Sequence, residues 1–406
     1  MSWLRTRADG REWESEDPNG GSDPLVNSFT GRSRIWAVDG VWKWAPNGNA
    51  KITNVQLQGE YFRRQERGDV TYDTADITGA GNSTDAYPDI NATFYFRFNH
   101  DKQIQFSTEI NPIDGPEPGQ KRFFEDVGLV INDLNYYQNN ANSAFMVGKY
   151  HVPFGRAQDQ APGLYTEDFV STYDLDGMLG GTVAYRFFDQ KLGMIEPNLS
   201  LYTADNSFLG RPYLRHGDKL TRKDGGPSNT GKLDSYAVTV NWLAIPAVPY
   251  LEMQAGFMSN KQAKDATQPN PPGEDDETIK IASARYIWAY EPSTDLEPTL
   301  AGRYFDIVPF IEFADVDNED GIKGNDTRYL TTSLTFDFGD WSLGATRTDK
   351  HRESTGGADR QDYLNELSLT YNITGQLKLG LSAGTQKEDG QMSELVGLAL
   401  TYSGGY

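Results

Sequence analysis

The chain contains no cysteine and only four histidines in 406 residues. The missing thiols rule out disulfide bonding and fit a compartment where stray thiols would be oxidised. No run of about 18 apolar residues occurs, which excludes transmembrane helices. Hydrophobic residues make up 37% and mean hydropathy is -0.62, a poor supply for a large packed core. Basic residues are outnumbered 37 to 58, and the net charge of -21 argues against nucleic acid as a partner, since phosphates would be repelled. Walker and dinucleotide fingerprints are missing. The histidines, His100, His151, His216 and His351, are scattered and form no nucleophile-base set with serine, so the chain reads as no enzyme and implies no cofactor. Met1 is followed by Ser-Trp-Leu-Arg, with no apolar stretch of a signal peptide; either numbering begins after cleavage or the N-terminus is incomplete.

What the chain does have is aromatic residues at 12% and 41 glycines, which suit sheets and turns. It also has alternation. In "NVQLQGEY" Val55, Leu57, Gly59 and Tyr61 oppose Asn54, Gln56, Gln58 and Glu60. Successive side chains of a strand point to opposite faces, so one face is apolar and the other polar. The pattern recurs: Tyr236, Val238, Val240 and Trp242 oppose Ser235, Ala237, Thr239 and Asn241, and Leu330, Leu334, Phe336 and Phe338 oppose Tyr329, Thr331, Ser333, Thr335 and Asp337.

Connections alternate as well. Short turns at 45–50, 99–103, 339–340 and 374–375 separate long polar stretches at 62–89, 111–126, 152–177, 204–231, 258–277, 314–327, 349–362 and 386–393. Segregated short and long connections are the pattern of a transmembrane barrel with clipped periplasmic turns and elaborated outer loops. The expected fold is therefore all-β: one antiparallel up-and-down transmembrane barrel of about 18 strands (16–18) over residues 1–406, in which 1–27 read as an incomplete first strand and first outer loop. Sandwiches and propellers also alternate, but their apolar faces converge on a core. A closed barrel of this size lined with Asn, Gln, Glu, Lys and Arg leaves a water-filled lumen, so the apolar faces must meet lipid. Trp42, Trp44, Trp242, Trp288, Tyr290 and Trp341 stand beside short turns, where an interfacial aromatic girdle belongs.

"FMVGKYHVPFGRAQDQAPGLYTEDF" at 145–169, a strand running Gly-Lys-aromatic into Pro-Phe-Gly and a long loop, resembles the corresponding segment of Gram-negative porins, including phosphate-selective porins. Residues from about 88 to 406 are similar to uncharacterised porin-like proteins, and 28–66 resemble strands of another porin-like group. The final "LVGLALTYSGGY" resembles the terminal signal read by the barrel-assembly machinery. The resemblance implies a bacterial outer-membrane barrel in contact with outer-membrane lipid and lipopolysaccharide, but no substrate; with a water-filled lumen, the expected function is passive diffusion of small hydrophilic solutes or ions. The alternatives are a barrel that exports a polymer or sheathes a partner protein in its lumen and, less favoured, an outer-membrane enzyme.

Lumen-parity charges are mixed: Glu60, Glu109, Glu252 and Glu312 stand against Arg97, Arg186 and Arg285. That mixture suggests a transverse field in place of a ring of one sign, while the plainer reading is that any lumen needs polar lining. Loop 152–177 is the candidate constriction, because it combines Arg156, Asp159, Glu167, Asp168, Asp174 and Asp176 with Tyr165, Phe169 and Tyr173. An ordinary external loop is the other reading. Lys149 and His151 precede it with ambiguous facing. "DVDNEDGIKGND" at 315–326 places Gly321 seventh and lacks a twelfth-position Glu, so together with "PGEDDE" at 272–277 it reads as an acidic rim, where divalent cations could bind loosely, and not an EF-hand, and no metal site is expected.

Overall fold

Alternation becomes, in the computed structural model, one large sheet that holds 21 strands among the described residues, short pieces included, in which successive long strands pair antiparallel; Gly226–Pro227 and Gln262–Ala263 form a separate two-stranded sheet. The described residues are 2–15, 25–44, 53–71, 78–112, 121–123, 127–214, 220–263, 275–290, 305–354, 359–375, 377–388 and 391–404. Side chains are described from residue 92 onward within these ranges, apart from 111–123, 168, 290, 391, 393 and 400–404. No helix is long and apolar enough to cross a membrane among the described residues.

Ladders are long and in register. Strand Phe305–Asp317 pairs with Asp326–Phe338 from Phe305 opposite Phe338 to Val316 opposite Thr327, without a slip. A bulge interrupts the pairing of Lys102–Pro112 with Val127–Asn139, where Ser107 faces Asp133 but Thr108 faces Ile131. The last strand, Gln391–Gly404, pairs with Leu377–Glu388 and also meets Leu25–Trp44 in a short parallel register at Val41 and Trp42.

Several strands run further than the alternation shows. Thr53–Thr71 and Thr78–Arg97 pair as far as Thr71 opposite Thr78, through residues read above as the loop 62–89. Likewise Trp341–Glu353 and Arg360–Asn372 extend into 349–362, and Leu377–Glu388 and Gln391–Gly404 into 386–393. The physical reason is loss of contrast: beyond an apolar band both faces of a strand meet polar surroundings, so the sequence there stops alternating although the backbone ladder continues.

The two faces of the sheet differ in an inside-out sense. On Asp326–Phe338, Leu330 and Leu334 are 40% and 50% exposed, whereas Thr331 and Ser333 are 0% and 8% exposed. On Ser235–Leu243, Tyr236, Val238 and Val240 are exposed and Ser235, Ala237 and Thr239 buried. Leu343, Leu367 and Leu381 continue the exposed apolar face on later strands. In water such a band would forgo about 25 cal/mol for every Å² of apolar surface left unburied. Near the short turns the band ends in aromatics: Trp341 stacks on Tyr371 at 4.2 Å, and Phe336 touches Phe305 and Phe338 at 5.2 Å.

The main packed core lies on the opposite face, and it is built around one connection. Val152, Phe154, Ala157, Val170 and Tyr173 cluster with Met258, Ile279, Phe310, Ala314 and Tyr329 of the strands. A second, smaller cluster packs Phe169 and Tyr165 against Leu364 and Leu395.

Candidate functional site

Residues 151–177 form that connection. They leave strand Ser143–Tyr150, lie against the inner face of the sheet, and return to strand Met178–Tyr185. Two short helices, Ala157–Gln160 and Thr166–Phe169, and a 3-10 turn, Ser171–Tyr173, give the segment its shape. Each α-helix begins with backbone N–H groups that have no partner within the helix, and such groups attract a carboxylate. The sheet supplies Glu312 to the start of the first helix, and Glu366 to the residues just ahead of the second and to the hydroxyl of its first residue.

Glu312, on Phe305–Asp317, accepts from Arg156 N at 2.7 Å, from Ala157 N at 3.0 Å and from the Tyr173 hydroxyl at 3.0 Å. Glu366, on Arg360–Asn372, accepts from Leu164 N at 2.5 Å, Tyr165 N at 3.3 Å, Thr166 Oγ1 at 3.0 Å and Ser382 Oγ at 2.6 Å. Both glutamates are almost wholly buried, and a buried carboxylate is tolerable only when its lone pairs are met in this way. Gly163 makes the second contact possible: its φ is +150°, and a Cβ there would lie 2.1 Å from Glu366 Oε2. Thr346 Oγ1 donates to Pro162 O at 2.6 Å, and Thr172 and Tyr329 share a hydroxyl bond of 2.7 Å.

Arg156 joins the segment to a polar strip on the inner face. Its Nη1 lies 3.6 Å from Glu252 Oε2, as does Nη1 of Arg285, and its Nη2 donates to Asn241 Oδ1 at 3.0 Å. Asn241 Nδ2 in turn reaches Glu196 Oε1 at 3.2 Å, and Glu196 Oε2 accepts from Arg186 Nε at 2.5 Å. Arg186 also donates to Asn139 Oδ1 at 2.8 Å. Three arginines and two glutamates thus share one connected strip, leaving a single net positive charge among them.

The structure brings Arg156, Arg186, Arg285, Glu252 and Glu312 together in these two sets. Glu312 faces the inner side but is covered by the segment, so it holds the segment and does not meet open water. Asp159 and Glu167 stand exposed on the segment's uncovered side. Arg97 lies apart, near the short turn at 98–101, donating to Gln103 Oε1 at 3.3 Å. Glu109 accepts from Asn132 at 2.8 Å beside the bulge. The side chains of Glu60 and Asp168 lie outside the described residues.

At the neck of the segment, His151 Nδ1 sits 2.5 Å from Asp176 Oδ1 and 3.1 Å from Asp174 Oδ1. Burial pulls the imidazole down, but the Asp176 hydrogen bond and the charges of Asp174 and Asp159 outweigh it and hold it up at about 8. Burial raises the Asp174 carboxyl, His151 pulls it back, and Asp176, Glu167 and Asp159 add repulsion, leaving it at about 6. The hydrogen bond from His151 keeps Asp176 below the usual carboxylate range. Lys149, whose facing the alternation left open, is buried against Asp205 at 2.8 Å.

The residues that hold the segment were harder to see in the sequence than the segment itself. Glu366, Thr346, Tyr329 and Ser382 carry the right parity for the inner face, and parity was the only signal; nothing in their local sequence marks them as anchors.

Neither a family model nor a curated protein matches the chain. Solved structures do. OmpF of Salmonella typhi, in a complex with daunomycin, is 12% identical with a TM-score of 0.50, over 86% of this chain and 98% of that one. The outer membrane channel DcaP of Acinetobacter baumannii is 11% identical with a TM-score of 0.45, over 87% of this chain and 98% of that one. A mutant of the porin of Rh. blastica is 11% identical with a TM-score of 0.33, over 98% of this chain and 97% of that one. The OmpF likeness, at 12% identity, speaks to architecture alone, and there it goes with the antiparallel sheet: the chain has the fold of the porin-type outer-membrane β-barrels.

Proposed function

We propose that the chain is a porin of a Gram-negative outer membrane, giving passive diffusion of small hydrophilic solutes through a lumen narrowed by residues 151–177. The observation that carries this reading is the placement of that connection. A long polar segment crosses the inner face and is fastened to strands as distant as Arg360–Asn372, while large apolar side chains stand exposed on the other face. Burying two carboxylates beneath a loop serves no purpose in a barrel filled by an ordinary core, since apolar packing would hold such a loop at less desolvation cost. It suits a wet lumen that must keep a fixed restriction. The exposed band fits contact with outer-membrane lipid and lipopolysaccharide, and insertion by the barrel-assembly machinery goes with the same reading.

The uncovered side of the segment presents Asp159, Glu167 and Asp176, and the neighbouring arginines are occupied by Glu252 and Glu196. A modest preference for cations follows, since a narrow passage bordered by acids concentrates them within a Debye length of about 8 Å.

Replacing 158–172 by a short Gly/Ser linker tests the restriction. Single-channel conductance in planar bilayers should rise, while heat-modifiable gel mobility shows that the barrel still assembles. Unchanged conductance in an assembled variant would place the narrowest section elsewhere, and steady silence of the parent protein would favour an occupied lumen.

A further inference from the structure

The neck of the inward segment holds a set of side chains to which the porin reading gives no part beyond the charge of Asp176. His151 follows strand Ser143–Tyr150, Asp174 and Asp176 precede strand Met178–Tyr185, and Val152 N donates to Leu175 O at 3.0 Å, which holds the two legs side by side. One ligand atom from each of the three side chains lies within 4.8 Å of the other two. We propose that His151, Asp174 and Asp176 form a binding site for a first-row divalent cation of the Zn2+ type, joining the two legs of the segment and open to the lumen.

Spacing supports it. Around a tetrahedral zinc ion bound at about 2.0–2.2 Å, neighbouring ligand atoms stand about 3.3–3.6 Å apart. The separation of His151 Nδ1 from Asp174 Oδ1, 3.1 Å, comes within a few tenths of an ångström of this, and Asp176 must withdraw by about 1 Å from its 2.5 Å contact. That movement is cheap because the Asp176 side chain is 73% exposed. The same exposure leaves a path for the ion and room for water to complete its coordination.

Ligand chemistry narrows the ion. One imidazole nitrogen with two carboxylate oxygens suits Zn2+ and its divalent first-row neighbours, whereas Ca2+ and Mg2+ prefer all-oxygen shells and Cu(I) prefers sulfur. Charge favours occupation as well, because Asp159, Glu167 and Asp133 lie near enough to act on members of the set. The cation closest along the chain, Lys149, does not offset them, being held by Asp205 at 2.8 Å.

A neutral side chain could add to the set. Gln158 directs its amide at the set, with Nε2 3.5 Å from Asp174 Oδ1, while its Oε1 is buried without a hydrogen-bond partner. Turning that amide over would offer a fourth ligand atom, a third oxygen, on the side of Asp174, a repulsive arrangement unless a cation lies between them.

Full-length protein, refolded in detergent and stripped with EDTA, is titrated with ZnCl2 by calorimetry near neutral pH. One saturable site per chain is expected, weakened at least ~10-fold in both His151→Asn and Asp176→Asn. His351→Gln, which removes a histidine beside Glu353 on another strand, should bind as the parent does. With Cu2+ as probe, electron paramagnetic resonance should show coupling to one nitrogen, lost in His151→Asn and retained in His351→Gln. Gel mobility confirms assembly of each variant, and exposed Asp176 is the substitution least able to disturb folding. No saturable heat in the parent, or equal affinity in parent and His151→Asn, would overturn the proposal. Binding is read without any current, so its failure would leave the channel reading standing, and silent bilayers would leave this one standing.

Discussion

Removing the Glu366 carboxylate should release the far end of the inward segment. In Glu366→Ala four donors lose their acceptor: Leu164 N, Tyr165 N, Thr166 Oγ1 and Ser382 Oγ, bonded at 2.5, 3.3, 3.0 and 2.6 Å. Hydrogen bonds to a charged group contribute about 1.5–3 kcal/mol each, but they act as a unit and do not sum. Water can reach the Leu164 end, which is exposed, and recovers part of the loss. A net cost of about 3–5 kcal/mol is the appropriate scale for removing one partner of a buried charged cluster. At about 1.4 kcal/mol per tenfold, the ratio of undocked to docked segment rises by roughly two to three and a half orders of magnitude. Two readouts follow. Chymotrypsin should cut after Tyr165 or Phe169 in the assembled variant far faster than in the parent, and single-channel records should show higher or noisier current. Glu366→Gln, similar in shape but bringing an N–H donor to a nest of donors, should fall between. Gly163→Ala attacks the same contact from the segment, since its Cβ would lie 2.1 Å from Glu366 Oε2, and should reproduce the alanine phenotype. Parent-like proteolysis and parent-like current in assembled Glu366→Ala would refute the reasoning that this carboxylate holds the segment down.

Lys149→Met should destabilise the assembled barrel by about 3–5 kcal/mol in chemical unfolding, because it strands the buried carboxylate of Asp205, whereas Lys149→Met with Asp205→Leu should recover most of that loss. Reversal potentials in a KCl gradient should show modest cation preference, weakened when Asp159 and Glu167 are replaced by Asn and Gln. An anion preference in the parent would mean that the arginine strip around Arg156, Arg186 and Arg285 governs the narrow section.

Alternation by itself determined most of the architecture. Leu330 and Leu334 against Thr331 and Ser333, or Val238 and Val240 against Ala237 and Thr239, name both the strand and its two faces, because side-chain direction in a strand depends only on parity. Composition in the segment after "GKYHVPFG" also marked it as unusual, since aromatic residues among charges need somewhere apolar to pack. Parity could place Glu312 and Glu366 on the inner face, but it could not say what lies over them. Their partners, Arg156 and Leu164, stand 156 and 202 residues away in the chain, and only the packing of residues 151–177 across the sheet brings them within hydrogen-bond reach. The same holds at the neck, where His151 ends one leg and Asp176 begins the return of the other: the residue after a strand has no parity to inherit, so its direction was decided by the turn of the backbone and the hydrogen bond between Val152 and Leu175. Strand ends were hidden for a different reason. Where both faces of a strand are polar, hydrogen bonding between backbones continues without any pattern in the side chains, and only the tertiary pairing of Thr71 with Thr78 reveals how far the ladder runs.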